Sequence, residues 1–96
     1  MNRKREQSIT DLLHYIMRED GLETPYNEYK AVKAWDEIMG EGVVRYTGEV
    51  SVHGGVMYVQ IKSPALRQNL MMARRELVQR INQHIGAQTL QNIVFR

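Results

Sequence analysis

The spacing of apolar residues changes along the chain and divides it into predicted elements. In "EQSITDLLHYIMRED" (residues 6–20), apolar residues recur at intervals of three and four, which predicts a first helix. The same spacing in "NEYKAVKAWDEIM" (residues 27–39) predicts a second helix that ends at Gly40. The intervening "LETPY" contains a proline and is interpreted as a loop.

From Val43 the apolar positions alternate with polar ones, as in a half-buried strand. In "VVRYTGEVSV", Val44 and Val50 fall on one face and Thr47 on the other. The following "HGG" predicts a tight hairpin turn, because paired glycines supply positive φ angles. The alternation then resumes in "VMYVQIK", which places Met57 and Ile61 on one face of a second strand.

A third helix is predicted to start at Ser63 and Pro64, since serine is a good N-cap and proline fits the first turn. It runs to about Ile85, with Gly86 as its stop, and "NIVFR" then forms a last strand. The order is therefore α-α-β-β-α-β, a single α+β (α/β) domain over residues 1–96. We expect a three-stranded mixed sheet, with the helices packed on one face and the last strand beside the first.

The third helix divides into faces when its residues are placed about 100° apart. An apolar stripe faces the core and consists of Leu66, Leu70, Ala73, Leu77 and Ile81. Arg67 and Arg74 lie at the shoulder of this stripe, where their stems can pack and their heads reach solvent. Met71 is expected at the core margin.

Met72 falls among glutamines on the face that should be wet. It is either a contact for a protein partner or an ordinary exposed residue.

Charge is distributed unevenly, although the formal net charge is only +2. Residues 1–18 carry four bases and two acids, residues 19–61 three bases and eight acids, and residues 62–96 six bases and one acid. Basic ends of this kind can contact nucleic-acid phosphates or can form a solvated surface. The candidate phosphate contacts are Arg3, Lys4, Arg5, Lys62, Arg67, Arg74 and Arg75. Residues 1–5 are expected to be a disordered basic N-terminus.

The residues needed for common catalytic and metal sites are missing or badly spaced. There is no cysteine, which suits the cytoplasm, and no apolar run approaches the ~18 residues of a membrane span. His14, His53 and His84 lie on different predicted elements without metal-ligand spacing, and no phosphate-binding glycine loop occurs. We interpret the chain as a non-enzymatic protein without a metal or cofactor.

Four segments together resemble the DciA family of bacterial proteins associated with the replicative helicase. They are "AWDEIMGEGVVRYTGEV" (34–50), "GGVMYVQIKSPALRQNL" (54–70), "ELVQRINQHIG" (76–86) and "IVFR" (93–96). The resemblance implies a fold similar to the KH domain, a cytoplasmic location, and binding to a DnaB-type helicase and to DNA, single-stranded or double-stranded. Loading of the helicase would be the biological role, with no small-molecule substrate and no membrane as partner.

An RNA-binding or ribosome-associated protein is the alternative, because KH-like sheets and basic helices also serve RNA. The small number of aromatic residues argues against base stacking, with Trp35 and Phe95 expected to be buried. A pure protein-interaction domain that uses Met72 and the acidic middle of the chain is a third possibility.

Overall fold

The computed structural model describes residues 11–13, 15–19 and 21–96. Residues 11–13 and 15–19 are helical and are called α1. The remaining elements are α2 (Glu23–Val44), β1 (Thr47–His53), β2 (Val56–Ile61), α3 (Pro64–Met72), α4 (Arg74–Ile85) and β3 (Asn92–Phe95). This order confirms the predicted α-α-β-β-α-β arrangement, with the third helix divided in two. The expected disorder of residues 1–5 lies outside the described residues.

The three strands form one mixed sheet in the order β1-β2-β3. β1 is antiparallel to β2, and β3 is parallel to β2. The prediction that the last strand lies beside the first is therefore wrong. β2, α3, α4 and β3 form a β-α-β unit, and strands joined in sequence usually become neighbours. Helices α2, α3 and α4 contact the strands, and the apolar side chains of one sheet face are buried against them.

Helix α2 begins four residues earlier than predicted, at Glu23, and takes in the proline that was assigned to a loop. Pro25 lies in the first turn, where its missing N–H would have no helical partner. Gly40 interrupts the helix with φ 75° and ψ 172°, as its predicted role as a stop requires. A further helical turn follows to Val44, so β1 starts only at Thr47.

A β-bulge places Thr47 on the opposite face from the one predicted. Thr47 pairs with Ile61 and Val50 pairs with Val59, so Gly48 and Glu49 together face one residue of β2. Because of the extra residue, the strand residues before the bulge point to the opposite face from the one that simple alternation predicts. Thr47 is thereby turned towards α2. There its Oγ1 accepts a hydrogen bond from Trp35 Nε1 at 3.2 Å and donates one to the Val43 carbonyl at 2.9 Å.

Helices α3 and α4 meet at Ala73, whose φ of −97° and ψ of 11° leave the helical range. The Ala73 N–H bonds to the Leu70 carbonyl three residues back, at 3.1 Å, which tightens this turn. Leu70, Leu77 and Ile81 are buried, which confirms the predicted apolar stripe across the break. Met71 is 46% exposed. Its expected place at the core margin is wrong, because it lies about 120° around the helix from that stripe.

The core lies between the sheet and the helices and is built around Trp35. The Trp35 ring is fully buried and packs against Phe95, with ring centroids 5.9 Å apart. These two aromatic residues are buried as predicted.

The one buried polar residue among the described residues is Asn82. Its Oδ1 accepts from the N–H groups of Thr89 and Leu90, at 3.1 and 2.9 Å, and its Nδ2 donates to the Leu90 carbonyl at 2.9 Å. Asn82 thus fixes the segment that leads into β3.

Helix α1 contributes little to this core. Leu12, Leu13 and Ile16 are all exposed, although their spacing predicted a shared apolar face. Within the described part of the chain, no helix combines the length and the apolar character needed to cross a bilayer.

Candidate nucleic-acid interface

The four predicted basic contacts that lie in the described part of the chain occupy two separate places. Lys62 and Arg67 lie where β2 ends, whereas Arg74 and Arg75 open helix α4. Val56, at the start of β2, pairs with Asn92, which lies beside the two arginines of α4. Lys62 directly follows β2 and lies six residues beyond Val56, so a distance of about 20 Å separates the two places. Arg3, Lys4 and Arg5 lie outside the described residues.

The junction at the end of β2 is held by local hydrogen bonds. Ser63 Oγ accepts from the Leu66 N–H at 3.3 Å, and Pro64 occupies the first helical turn, which confirms the predicted cap. Lys62 is exposed, while its N–H donates to the Tyr46 carbonyl at 2.8 Å. The junction therefore presents the Lys62 ammonium group to solvent from a fixed backbone.

Arg67 has a structural partner that its sequence position did not predict. Its Nη2 donates to the Ile61 carbonyl at 2.7 Å, and its Nε is buried without a partner. The side chain is half-buried, so the expectation that its head is free in solvent is wrong. Arg67 therefore braces the junction.

Arg74 and Arg75 flank a groove of about 550 Å³ between α4 and the start of β3. The remaining lining residues are Val78, Gln79, Gln91 and Asn92. Both arginines are exposed, and the amide side chains of the groove supply further donors and acceptors. The groove combines charge with hydrogen-bonding groups, as a phosphate-contacting surface requires.

The sheet face turned away from the helices carries a second group of residues, here called the open face. Its members include Ser51, His53, Val56, Tyr58, Gln60, Asn92, Val94 and Arg96. The Arg96 guanidinium carbon lies 5.0 Å from the centre of the Tyr58 ring, and the His53 and Tyr58 ring centroids are 6.5 Å apart. Sequence reasoning assigned no role to these residues. The alternation in "VMYVQIK" already placed Tyr58 opposite Met57 and Val59.

Exposed apolar side chains on α3 and α1 are two candidate protein contacts. Met72 is 80% exposed at the end of α3, which agrees with its predicted position on the wet face. The second set, which sequence reasoning missed, consists of Leu12, Leu13, Tyr15 and Ile16 on α1. Both sets can contact a protein.

One histidine links two helices at the surface. His84 Nε2 lies 2.7 Å from Glu37 Oε2, and this pair joins α4 to α2 at the surface. Within residues 11–13, 15–19 and 21–96, no group of three or more His, Asp or Glu side chains is arranged to hold a metal ion.

Comparison with known families adds one match. A family model described as "Dna[CI] antecedent, DciA" matches residues 8–95. The match spans nearly the whole chain, including the junction, the groove and every residue of the open face except Arg96. No curated protein matches the sequence significantly.

Proposed function

The chain belongs to the DciA family, and from this premise we propose that it is a non-enzymatic accessory protein of DNA replication. It binds a DnaB-type replicative helicase and DNA in the cytoplasm and promotes loading of that helicase. The observation that carries this proposal is the family match over residues 8–95. The role needs no cofactor and no reaction on this chain, because recruitment requires only binding surfaces.

Exposed cations support the DNA-binding part of the proposal. Lys62, Arg74 and Arg75 are all exposed, and the two arginines share one groove with amide side chains. Each cation that neutralises a phosphate releases counterions, so binding should weaken steeply as salt increases. Arg67 has a smaller share in this contact, because the Ile61 carbonyl already occupies its Nη2.

Met72 supports the protein-binding part. An unbranched thioether side chain that is mostly exposed adapts to an apolar partner surface. Met71 adjoins it and is itself nearly half exposed, which extends the apolar contact. We propose this end of α3 as the helicase contact, with the exposed apolar residues of α1 as the competing location.

The decisive experiment mixes the purified protein with the replicative helicase of the same organism, with and without single-stranded DNA. A complex should form at micromolar concentration and appear by size-exclusion chromatography with light scattering. The variant Met72→Glu should weaken helicase binding ~10-fold, since it places a charge in an apolar contact. Gln83→Glu adds the same charge at an exposed position on α4 and should leave binding unchanged.

Two outcomes contradict the proposal at different levels. Absence of any complex with the wild-type protein would overturn helicase binding. Loss of binding on Leu12→Glu, with Met72→Glu unaffected, would move the contact from α3 to α1.

The DNA-binding part is tested by the salt dependence of affinity for a labelled oligonucleotide. Arg74→Gln and Arg75→Gln should each reduce the slope of log K against log salt by roughly 1, because each removes one phosphate contact. Arg80→Gln is the matched control, since Arg80 is an exposed arginine of the same helix outside the groove. Affinity that does not vary with salt would contradict phosphate binding.

A further inference from the structure

The open face combines an aromatic ring, a guanidinium and an imidazole on one side of the sheet. We propose that this face is a stacking site for single-stranded DNA, with a base resting against Tyr58 between His53 and Arg96. The inference rests on the DNA binding of the proposed function and adds a site for the bases to the phosphate contacts on the helices.

The position of Tyr58 makes its ring available. Tyr58 lies on β2, the central strand, and its cross-strand partners are Ser51 on β1 and Val94 on β3. Both partners are smaller than tyrosine, so the ring stands above its neighbours at the middle of the sheet. Helices α2, α3 and α4 pack against the other face. Tyr58 is half-buried, so part of the residue reaches solvent.

The neighbours of Tyr58 favour a base as the ligand. Arg96 holds its guanidinium 5.0 Å from the centre of the Tyr58 ring, and the His53 ring lies on the β1 side at 6.5 Å between centroids. A planar guanidinium and an imidazole both stack on bases, and arginine also bonds phosphate. Two planar groups therefore lie within 6.5 Å of the Tyr58 ring on this face of the sheet.

The electrostatics of this face suit a polyanion. The Ile61 N–H donates to the Arg96 carbonyl at 2.8 Å, and this bond places Arg96 next to Lys62 at the end of β2. Among all residues of the three strands, Glu49 is the single acid, and its N–H bonds to Gln60 Oε1 at 3.3 Å. A strand that stacks on Tyr58 can therefore direct its phosphates towards Lys62 and Arg96.

The ligand is a single strand because of the chemistry of stacking. In a duplex, the flat faces of the bases are already stacked on one another, whereas an unpaired strand can turn a base out onto a protein ring. Such contacts tolerate any base sequence, because every base has a π-face. A replication protein that meets unwound DNA needs this tolerance.

The test measures binding to fluorescein-labelled oligo(dT) of about 20 nucleotides by fluorescence anisotropy. Tyr58→Ala should weaken binding ~10-fold or more, since loss of one aromatic stacking contact typically has that effect. Tyr58→Phe should retain wild-type affinity, because the ring remains. Tyr58→Leu keeps a large apolar side chain, so the variant should remain folded. It should still bind the oligonucleotide more weakly than the wild-type protein, because the ring is gone.

A matched control uses a second tyrosine that also lies beneath a cation. Tyr29 on α2 is 59% exposed, and Lys33 Nζ lies 5.7 Å from its ring centre. Tyr29→Ala should leave oligonucleotide binding unchanged. The salt slope adds a second readout, because Tyr58→Leu should lower affinity equally at all salt concentrations and leave the slope unchanged.

The outcomes separate this site from the proposed function. If the wild-type protein binds oligo(dT) and Tyr58→Leu binds it equally well, the stacking site is overturned and DNA binding by the helices stands. If the wild-type protein binds neither oligo(dT) nor duplex DNA, DNA binding itself fails. Tighter, Tyr58-dependent binding to oligo(rU) would overturn the assignment to DNA, and tighter binding to duplex DNA would overturn the assignment to a single strand.

Discussion

The two faces of the sheet alternate along the same strands yet differ in almost every property. On the covered face, Met57 and Val59 are fully buried against the helices. On the open face, Tyr58 lies between them in sequence and reaches solvent beside Arg96. Since successive side chains of a strand point to opposite sides, one stretch of sequence specifies both a core and a surface. The two can therefore be changed independently.

The largest expected effect comes from the centre of the covered face. Trp35→Ala should lower the free energy of unfolding by about 3–5 kcal/mol, because it leaves a cavity beneath the sheet. It also removes the ring contact with Phe95 and the hydrogen bond to Thr47. Urea unfolding followed by circular dichroism measures this loss. A loss below about 1 kcal/mol would contradict the central place of Trp35 in the core.

Asn82 sharpens the comparison, because it is a buried polar residue of α4, on the side of the sheet that the helices cover. Asn82→Ala should lower the free energy of unfolding by about 2–4 kcal/mol, since the backbone groups of Thr89 and Leu90 lose their partners. The control is Gln83→Ala at the next position, which is exposed and should change stability by less than about 0.5 kcal/mol. Equal unfolding midpoints for the two variants would show that the Asn82 bonds contribute nothing.

The same substitution on each face gives the most direct comparison. Val59→Thr buries a hydroxyl group and should cost about 1–3 kcal/mol. Val94→Thr, on the adjacent strand and the open face, should change stability by less than about 0.5 kcal/mol. Thermal unfolding of the two variants side by side provides the measurement. A larger loss for Val94→Thr would mean that the open face is covered in solution.

Features set by local chemistry could be predicted from the sequence. Ser63 caps α3, and Gly54 and Gly55 take the positive φ angles of the hairpin turn. Gly86 ends α4 with a φ of 74°. In each case the residue and its nearest neighbours in sequence determine the backbone, so no distant contact was needed.

Features that depend on distant contacts could not be predicted in this way. The bulge before Val50 turns Thr47 towards Trp35, twelve residues away, and no residue near Thr47 indicates that contact. The pairing of β3 with β2 likewise depends on how α3 and α4 cross the sheet.

The candidate site shows the same division. The exposure of Arg74 and Arg75 followed from their helical positions, whereas the bond from Arg67 to Ile61 depends on where β2 ends. Tyr58 is a different case, because the alternation of β2 placed it on the open face from the start. Charge indicates candidate phosphate contacts, whereas an uncharged tyrosine on a strand gives no such signal in the sequence.

The parallel pairing of β2 with β3 also bears on the order in which the molecule assembles. The β1–β2 hairpin closes over a two-residue turn, and such hairpins form within microseconds. Val56 and Asn92, in contrast, are about 36 positions apart in sequence. Their pairing therefore closes a large loop, and the chain loses conformational entropy before the stabilising contacts form. Because Ile93 and Phe95 fill the core only after this step, we expect the hairpin to form early and the arrival of β3 to set the folding rate.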